Sequence, residues 1–362
     1  MHIVIDARML QSSGIGTYLQ NIIEGLRYSG YEITLLGDIE QLYRFSNFAR
    51  IIEFTDPIYS IKEQLKYSKV IPQCDVFWSP HYNIPLSRSV KAKRRIVTIH
   101  DAYHLAFYDS LPLKQKLYAK FVLNKAVTMS DSIITVSNFS RNEILKFTGC
   151  KPDKISVIYN GVNKPGLEDD NSVLKSKYQL PDNYILFVGN VKPHKNLSTL
   201  LKAYSALDKS IKLKYKLVIA GKKDGFITGD SEIFTSLNND SSLKESVCFT
   251  GYIDPDDMNS LYKHASLFVF PSSYEGFGLP PLEAMANSCP VIVASSSCLP
   301  EICGDAVNYF PYNDTNALKV LIKNVLTSSK LRGELINKGK KRVLLFPWSS
   351  SIDCHKKTFE TN

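Results

Sequence analysis

Short apolar runs rich in β-branched residues alternate with longer stretches of helical periodicity along both halves of this chain. In the first half the runs are HIVID (2–6), EITLL (32–36), DVFWS (75–79), RIVTIH (95–100) and SIITVS (132–137). In the second half they are YILFVGN (184–190), KLVIAG (216–221), VCFTGY (247–252), SLFVFPS (266–272) and PVIVAS (290–295). Continuous apolar strands separated by helices indicate parallel sheets that are covered on both faces. The pattern therefore predicts an α/β protein in which each half is a doubly wound, Rossmann-like domain.

The chain length supports a division into two domains, because 362 residues exceed what one ordinary compact core holds. A polar stretch punctuated by Pro and Gly, residues 163–182, separates the halves. We place an N-terminal domain at 1–164, a linker at 165–181 and a C-terminal domain at 182–344. Two such domains facing each other would put the carboxyl ends of both sheets around one cleft, where ligands of such sheets bind.

Positive charge is concentrated in the N-terminal half. Residues 1–164 contain 21 Lys+Arg against 14 Asp+Glu, a net of +7, whereas the rest contains 23 against 21, a net of +2. A basic half suggests an anionic partner such as a nucleic acid, a phosphorylated ligand or an acidic membrane surface. No recognition motif accompanies the charge, so the expectation is that nucleic acid is not a partner.

Several features of the sequence point to the cytoplasm. No apolar run approaches the ~18–20 residues of a membrane span. The start MHIVIDARML is not a signal peptide, because Asp6 and Arg8 interrupt its apolar segment. The seven cysteines form no CxxC pair, and their odd number argues against a closed disulfide framework. The protein is therefore predicted to be cytoplasmic.

One stretch, SSYEGFGLPPLEAMAN (272–287), carries a distinctive arrangement of glycines, prolines and two glutamates. It is interpreted as a loop after a strand, followed by a helix with proline in its first turn. Gly276 and Gly278 allow the backbone to approach a ligand, and a helix N-terminus attracts phosphate. Glu275 precedes the helix N-terminus and Glu283 lies inside the helix, so the two carboxylates are placed to bind hydroxyl groups on either side of a diphosphate. For Glu283 alone, a favourable interaction with the helix dipole is the simpler explanation, although it does not account for the glycine loop.

The stretch EGFGLPPLEAMANSCPVIVASSSCLPEICGDAVNYF (275–310) resembles the E-x7-E segment of glycosyltransferase family 4. These group 1 glycosyl transferases are retaining enzymes of the GT-B fold. Further similar segments follow in the family's order: GIGTYLQNI (14–22), TIHD (98–101), VSNFSRNEI (136–144), ISVIYNGV (155–162) and FVGNVKPHKNLSTLLKAY (187–204). Only the E-x7-E segment is specific by itself, so the order and spacing over nearly the whole chain carry the resemblance. The last segment, FPWSSSIDCHKKTFE (346–360), resembles the family's terminal helix, so 345–362 is expected to cross back to the first domain.

The resemblance implies three catalytic residues. Glu275 would contact hydroxyls of the transferred sugar near the reacting carbon. Lys195 matches the family's pyrophosphate lysine, whose charge would stabilise the leaving nucleoside diphosphate. His100 matches the N-domain histidine that reaches the donor sugar. A histidine at a strand end and a lysine in a loop are usually structural or solvated, and only the resemblance singles them out.

The same resemblance implies a wider donor-binding set. The backbone of the loop at 276–279 would contact the sugar and diphosphate, Glu283 would hold the ribose, and Gly14 and Gly16 would let the first helix approach the phosphate. Many family members carry an arginine at the position of Asn190, which here supplies no charge, and His194 is expected to compensate in part. The full predicted donor set is Gly14, Gly16, Asn190, His194, Lys195, Glu275, Gly276, Phe277, Gly278, Leu279 and Glu283.

The implied activity is transfer of a sugar from a nucleoside diphosphate sugar to a glycan or lipid-linked acceptor. The resemblance implies that the C-terminal domain at 182–344 binds the donor and that the N-terminal domain at 1–164 lies on the acceptor side. EGFGLPPLEAMA and KPHKN look most like mannosyltransferases of bacterial surface-polysaccharide (O-antigen) assembly, which suggests GDP-mannose as donor. No cofactor or metal is expected, because helix capping explains the D-x-D sequence at 254–256 and no cluster has metal-ligand spacing. Two alternatives remain open: a nucleotide-sugar epimerase of the same architecture, and a catalytically silent nucleotide- or glycan-binding subunit.

The basic residues of the N-terminal half cluster in KAKRR (91–95) and LPLKQKLYAKFVLNKAV (111–127). The second is a basic amphipathic segment of the kind that rests on an anionic membrane, which would suit a lipid-linked acceptor at the inner face of the cytoplasmic membrane. Packing of its apolar face inside its own domain is the commoner arrangement. His81 and His104 are interpreted as structural residues.

Overall fold

The computed structural model describes residues 1–87, 89–108, 113–163, 171–190, 192–221 and 241–361. The chain divides into two compact units. Unit 1 comprises Met1–Gly161 together with Phe346–Asn362, and unit 2 comprises Val162–Leu345.

Seven parallel strands form the sheet of unit 1, in the order β3-β2-β1-β4-β5-β6-β7. The strands are β1 (His2–Asp6), β2 (Glu32–Gly37), β3 (Ala49–Glu53), β4 (Cys74–Ser79), β5 (Ala92–Ile99), β6 (Ser132–Thr135) and β7 (Ile155–Val157). The described helices are α1 (Ser13–Gly25), α2 (Ile39–Leu42), α3 (Ile61–Val70), α4 (Tyr103–Ala106), α5 (Leu113–Met129) and α6 (Asn138–Thr148), with the last helix of the chain, α16 (Trp348–Glu360), also in this unit.

Both faces of this sheet are buried. In β1, Ile3 and Ile5 join a core cluster that contains Tyr18 of α1, whereas Val4 between them joins a second cluster with Phe77. Successive side chains of a strand point to opposite faces, so a strand that is covered on both faces has to be apolar throughout. This is why the strands appear in the sequence as continuous apolar runs.

The terminal helix α16 packs on α1 within unit 1. A Cβ on Gly25 would come within 2.2 Å of Ile352, so the glycine allows the two helices to approach closely. His355 is fully buried, and its Nδ1 lies 2.7 Å from the carbonyl oxygen of Ser351. A carbonyl only accepts, so Nδ1 carries the proton and Nε2 accepts from the Tyr18 hydroxyl at 2.6 Å. A buried hydrogen bond thus joins the two helices.

Six parallel strands form the sheet of unit 2, in the order β10-β9-β8-β11-β12-β13. The strands are β8 (Tyr184–Val188), β9 (Lys216–Ala220), β10 (Val247–Gly251), β11 (Leu267–Phe270), β12 (Val291–Ala294) and β13 (Asn308–Phe310). The described helices are α7 (Asn171–Tyr178), α8 (Leu197–Ser205), α9 (Lys209–Lys214), α10 (Ser241–Lys244), α11 (Met258–His264), α12 (Leu279–Ala286), α13 (Leu299–Cys303), α14 (Thr315–Thr327) and α15 (Ser329–Val343).

In both sheets the direction of winding reverses beside the first strand. β4 pairs with β1 on the side opposite β2, and β11 pairs with β8 on the side opposite β9. In doubly wound sheets this reversal opens a crevice at the carboxyl ends of the two strands, and ligands bind there. The predicted fold class, two doubly wound parallel-sheet α/β domains, is confirmed. In unit 2 the crevice lies between the loops that follow β8 and β11.

The predicted linker at 165–181 falls partly outside the described residues, which resume at 171 with helix α7 of unit 2. At the end of α7, the Lys177 ammonium binds the carboxylates of Asp254 and Asp257, and the Tyr178 hydroxyl donates to Asp257 at 2.7 Å. Asp254, the first aspartate of the D-x-D sequence, stands at the N-cap position of the turn Pro255–Asp257, but its side chain makes no capping hydrogen bond. For Asp254 the interpretation as a side-chain cap is therefore wrong, because its carboxylate pairs with Lys177 instead.

Candidate functional site

Two loops of unit 2 meet at the crevice between β8 and β11. The first loop contains Lys195, and the second contains Glu275 and the two glycines of the E-x7-E segment. The backbone N–H and the hydroxyl of Ser273 donate to the carbonyl oxygen of His194 at 2.8 and 3.1 Å. The loops are therefore held together by hydrogen bonds that do not involve the predicted ligand-binding side chains.

Asn196 holds the backbone from which Lys195 projects. It follows the 3-10 turn Pro193–Lys195 and has a left-handed conformation, with φ 55°, which asparagine adopts more readily than most residues. Its side-chain amide donates to the carbonyls of Pro271 at 3.2 Å and Tyr312 at 2.6 Å. The start of the lysine side chain is fixed by these contacts.

Lys195 and Glu275 form an ion pair. The Nζ atom of Lys195 lies 2.6 Å from Oε1 of Glu275 and 5.2 Å from the ring centroid of Phe270. The two charged side chains are 18% and 13% exposed, so the pair is largely withdrawn from water and still accessible. Charge-assisted hydrogen bonds are also the contacts that a lysine makes with phosphate, so an anionic ligand competes with Glu275 for the same ammonium group.

Helix α12 begins with a backbone geometry that favours glycine. Gly278, which precedes the helix, has φ +91°, and a Cβ there would lie 2.9 Å from Cδ2 of Leu299. Pro280 and Pro281 follow, and neither has an N–H group. Among the first three helical residues only Leu279 therefore offers an amide hydrogen, at the positive end of the helix dipole.

Glu283 lies one turn into α12 and is half-buried. Its Oε2 accepts a hydrogen bond from the hydroxyl of Tyr262, a buried residue of α11, at 3.0 Å. Burial raises the pKa of Glu283, and the Tyr262 hydrogen bond opposes that rise. Because one donor does not use all acceptor positions of a carboxylate, Glu283 retains lone pairs for the hydroxyl groups of a ligand.

The other predicted residues of unit 2 surround this group. Asn190 is exposed just beyond β8, and His194 is half-buried, with its carbonyl oxygen 3.1 Å from the Ser272 hydroxyl. Gly276 and Phe277 are buried in the loop between Glu275 and the helix start.

In unit 1, His100 lies directly after β5 at the carboxyl edge of the sheet. Its Nε2 is 2.9 Å from the carbonyl oxygen of Pro80, and its ring stands edge-on to Tyr18 at 4.9 Å. Burial lowers the pKa of His100, so the neutral ring is favoured. Nε2 then carries the hydrogen that the Pro80 carbonyl accepts, and Nδ1 is the acceptor nitrogen.

The two predicted glycines of α1 have different surroundings. A Cβ on Gly16 would lie 2.4 Å from the carbonyl oxygen of Leu10, so packing of the preceding loop on α1 excludes any side chain. A Cβ on Gly14 would meet nothing within 4 Å, and Gly14 is exposed. Of the pair, only Gly14 has space beside it for an approaching ligand.

Three residues that shape the site were not among the predicted ones: Asn196, Tyr262 and Ser297. Ser297, at φ 50°, accepts from the backbone N–H of Glu275 at 3.0 Å. Asn196 carried a local signal, because an asparagine directly before an apolar helical stretch favours a cap or a left-handed residue. Tyr262 carried none, because its contact with Glu283 is created by the packing of α11 on α12.

Within the described ranges, no group of three or more His, Cys, Asp or Glu residues is placed to hold a metal ion. Over the same part of the chain, none of the helices combines the length and the apolar character that a membrane crossing requires.

Two family models match this chain. The model described as glycosyl transferases group 1 matches residues 170–342, and the model described as glycosyltransferase family 4 matches residues 12–164. The chain belongs to the group 1 glycosyl transferases of glycosyltransferase family 4. The predicted family is thereby confirmed, and the two matched ranges of this group 1 glycosyl transferase include all the predicted site residues.

Relatives of this group 1 glycosyl transferase include two mannosyltransferases of Escherichia coli. O-antigen chain mannosyltransferase B is 28% identical over 279 residues, which cover 76% of this chain and 71% of that protein. The serotype-specific mannosyltransferase WbdA is 30% identical over 259 residues, which cover 67% of this chain but only 31% of WbdA. The match therefore spans about a third of the length of WbdA.

Solved structures of the GT-B fold resemble this group 1 glycosyl transferase along its whole length. Alr3699/HepE from Anabaena, determined in complex with UDP and glucose, matches with a TM-score of 0.77 at 16% sequence identity over 99% of each chain. At that level of identity the likeness establishes the shared fold.

Proposed function

We propose that this protein is a retaining glycosyltransferase that moves mannose from GDP-mannose to a glycan or lipid-linked acceptor in bacterial surface-polysaccharide biosynthesis. The observation that carries the proposal is the 2.6 Å pair of Lys195 and Glu275 beside the start of α12. A cation, a carboxylate and a helix N-terminus side by side suit a ligand in which a sugar is joined to a diphosphate. Mannose and the O-antigen context are inferred from the names of the relatives.

Each residue then has a distinct role. The diphosphate binds Lys195 and the amide of Leu279, which neutralise the charge that develops as it leaves. Glu275 accepts hydrogen bonds from hydroxyls of the transferred sugar, and Glu283 accepts them from the ribose. The buried backbone at 276–278 lies against the sugar and the diphosphate.

Among the residues of the predicted donor set, Lys195 is the one that carries a full positive charge. Asn190 offers a neutral amide where many relatives of the family carry arginine, and His194 is proposed to supply a second polar contact. His100 and the exposed Gly14 remain predicted contacts of the donor sugar and the phosphate, and Gly16 is proposed to act only through the packing of α1.

The proposed reaction breaks the bond between the anomeric carbon and the diphosphate oxygen. A bond forms between the same carbon and an acceptor hydroxyl oxygen, with release of the hydroxyl proton and of the nucleoside diphosphate. The anomeric configuration is retained. No resident metal takes part in this scheme, because Lys195 and the helix terminus supply the positive charge.

We also propose peripheral contact with an anionic membrane, at the inner face of the cytoplasmic membrane. In α5, Phe121 is 50% exposed, Lys120 is exposed beside it, and the Nζ atom of Lys125 lies 5.8 Å from the Phe121 ring. An exposed aromatic ring between cations suits the boundary of a bilayer. Sedimentation with phosphatidylglycerol vesicles at low salt is the expected result, and failure to sediment, or equal sedimentation with phosphatidylcholine, would remove this partner.

Thermal unfolding with GDP, UDP, ADP and dTDP, each with and without EDTA, tests the donor site. A ligand at one hundred times its Kd should add about 2.7 kcal/mol of stability. GDP alone is expected to stabilise, with or without EDTA. Glu283→Ala should lose the effect, and the matched control Glu334→Ala, at an exposed position of α15, should keep it. Stabilisation by UDP alone would discard the mannose donor, and no shift with any nucleotide would refute the donor site.

Incubation with GDP-mannose in the absence of acceptor separates the proposal from its two alternatives. An epimerase converts the donor without any acceptor, and a silent subunit binds the nucleotide without turnover. The proposed transferase releases GDP quickly only after a mannose-containing glycan is added.

A further inference from the structure

A series of hydrogen bonds runs through the interior of unit 1 and joins the terminal helix α16 to α1 and to two strands of the sheet. It begins at Nε1 of Trp78 in β4, which lies 3.0 Å from Oγ1 of Thr98 in β5. The hydroxyl oxygen of Tyr18 in α1 lies 3.0 Å from that Oγ1 and 2.6 Å from Nε2 of His355 in α16. The series ends where Nδ1 of His355 meets the carbonyl oxygen of Ser351 at 2.7 Å. We call the four fully buried side chains, Trp78, Thr98, Tyr18 and His355, the buried chain.

The direction of every hydrogen bond in the buried chain is determined from its end at His355. Burial lowers the pKa of His355 to about 4, so the ring is neutral at neutral pH, and Nε2 accepts because Nδ1 donates to a carbonyl. The Tyr18 hydroxyl therefore donates to Nε2, and the Tyr18 oxygen accepts from the Thr98 hydroxyl. Thr98 in turn accepts from the indole N–H of Trp78, which only donates. The Tyr18 oxygen is thus held between a donor from the sheet and an acceptor from α16.

The ring of Tyr18 packs against the ring of His100. The two ring centroids are 4.9 Å apart and the ring planes stand at 90°, the edge-to-face arrangement that aromatic pairs favour. The hydrogen bond from Nε2 of His100 to the carbonyl oxygen of Pro80 is the second contact that holds this ring. Together the two contacts fix the orientation of the His100 ring and leave Nδ1 as its acceptor nitrogen.

The orientation of His100 therefore depends on where the Tyr18 hydroxyl is held. A buried hydroxyl that loses its acceptor costs free energy until it finds another partner, so the Tyr18 side chain would move. An edge-to-face contact changes with the distance and the angle between the rings, and a movement of Tyr18 is passed on to His100. A small displacement of a group that contacts the reacting sugar is enough to slow a reaction.

We infer that Tyr18 and His355 are positioning residues for His100. Helix α16 holds the Tyr18 hydroxyl, and the Tyr18 ring orients the His100 ring so that Nδ1 is presented to a hydroxyl of the donor sugar. The inference rests on the proposed function for the role of His100 as a contact of that sugar. It gives the terminal helix a part in the reaction that requires no contact between the helix and the ligand.

NMR of the full-length protein with isotope-labelled histidine tests the positioning directly. Long-range proton–nitrogen correlations at neutral pH should place the proton of His100 on Nε2 and the proton of His355 on Nδ1. His355→Leu removes the acceptor of the Tyr18 hydroxyl and should shift the ring signals of His100, because those signals depend on the position of the neighbouring aromatic ring. His355→Gln supplies an amide oxygen as acceptor and should restore them. Ile352→Ala is the matched control, because it removes a side chain that packs on α1 and keeps the buried chain.

Tyr18→Phe provides a second variant that keeps the aromatic ring and removes only the hydroxyl. It should shift the same signals of His100. With GDP-mannose and a mannose-containing glycan, kcat should fall roughly threefold to tenfold in Tyr18→Phe and in His355→Leu, as expected for the loss of one hydrogen bond. His355→Gln should recover most of this loss. In a His100→Ala background the same substitutions should lower kcat no further, because their effect passes through the histidine ring.

The opposite tautomer of either histidine in the wild type would overturn the inference without any variant. Unchanged His100 signals in both His355→Leu and Tyr18→Phe would overturn it, as would an equal shift in Ile352→Ala. Shifted signals with an unchanged kcat, or a further loss of kcat in the His100→Ala background, would show that the two residues act only on the structure. The GDP-dependent thermal shift reports the proposed donor site separately. If that shift is absent from the wild type, the donor site fails, and the ring signals, which need no nucleotide, still decide the positioning of His100.

Discussion

Substitution of Glu275 by glutamine removes the negative charge that occupies Lys195 and preserves the shape of the side chain. The two charged atoms are 2.6 Å apart, so a diphosphate that approaches the lysine competes with the carboxylate for the ammonium group and is repelled by its negative charge. We therefore expect Glu275→Gln to bind free GDP more tightly than the wild type. The same variant should lose sugar transfer, because Glu275 is proposed to bind the transferred sugar.

The size of the effect follows from the environment of the pair. At 2.6 Å, two unit charges attract by roughly 6 kcal/mol for an effective dielectric constant of about 20. Most of this attraction is not lost on binding, because a phosphate replaces the carboxylate and both side chains are partly hydrated. The net free energy of a hydrogen bond to a charged group, about 1.5–3 kcal/mol, is the better guide. It corresponds to roughly a tenfold to hundredfold lower Kd for GDP.

Isothermal titration calorimetry with GDP on the wild type, Glu275→Gln, Lys195→Gln and the double variant measures this competition. The double variant should bind GDP no better than Lys195→Gln, because the gain requires the ammonium group. Guanosine lacks phosphates and should bind the wild type and Glu275→Gln equally. Unchanged or weaker GDP binding by Glu275→Gln would refute the argument, as would an equal gain for guanosine.

Three further predictions concern the supporting residues. Tyr262→Phe removes the hydrogen-bond donor that opposes the burial-raised pKa of Glu283. The affinity for GDP should fall by about fivefold or more, and the loss of GDP binding on acidification should begin at a higher pH than in the wild type. An unchanged pH profile of GDP binding would contradict this. Gly16→Ala would place a Cβ 2.4 Å from a carbonyl oxygen, so the free energy of unfolding measured in urea should fall by about 1–3 kcal/mol. Gly14→Ala should keep the stability of the wild type and affect only activity. Equal stability of the two variants would show the packing argument to be wrong. Burial lowers the pKa of His355 from 6.5 to about 4. As the pH falls, this histidine is therefore protonated in the unfolded chain before it is protonated in the folded protein. About 3 kcal/mol of folding stability should be lost between pH values of about 6.5 and 4. His355→Gln should flatten that dependence, and an identical acid transition would contradict the assignment.

The central strands were predictable because a parallel strand with helices on both faces has no polar alternation. Of the four edge strands, β10 was predicted, whereas β3 (Ala49–Glu53), β7 (Ile155–Val157) and β13 (Asn308–Phe310) were not. β3 and β13 are only partly buried, and their sequences lack a continuous apolar run. Helix α15 (Ser329–Val343) was also not predicted, because most of its residues are polar and only Leu335 and Gly339 are buried.

The sequence by itself determined the family, the alternation of the central strands with helices, and the residue types available at the proposed donor site. The loop containing Lys195 and the segment containing Glu275 could each be recognised from their own neighbours along the chain. Their ion pair could not, because the two residues are 80 positions apart and meet only since β8 and β11 end side by side at the reversal of the sheet. The contact between Tyr262 and Glu283 likewise depends on how α11 packs on α12. Local sequence specifies elements and chemical groups, whereas the partner of each charged group is decided by the tertiary structure, because contacts between distant residues depend on the packing of whole elements.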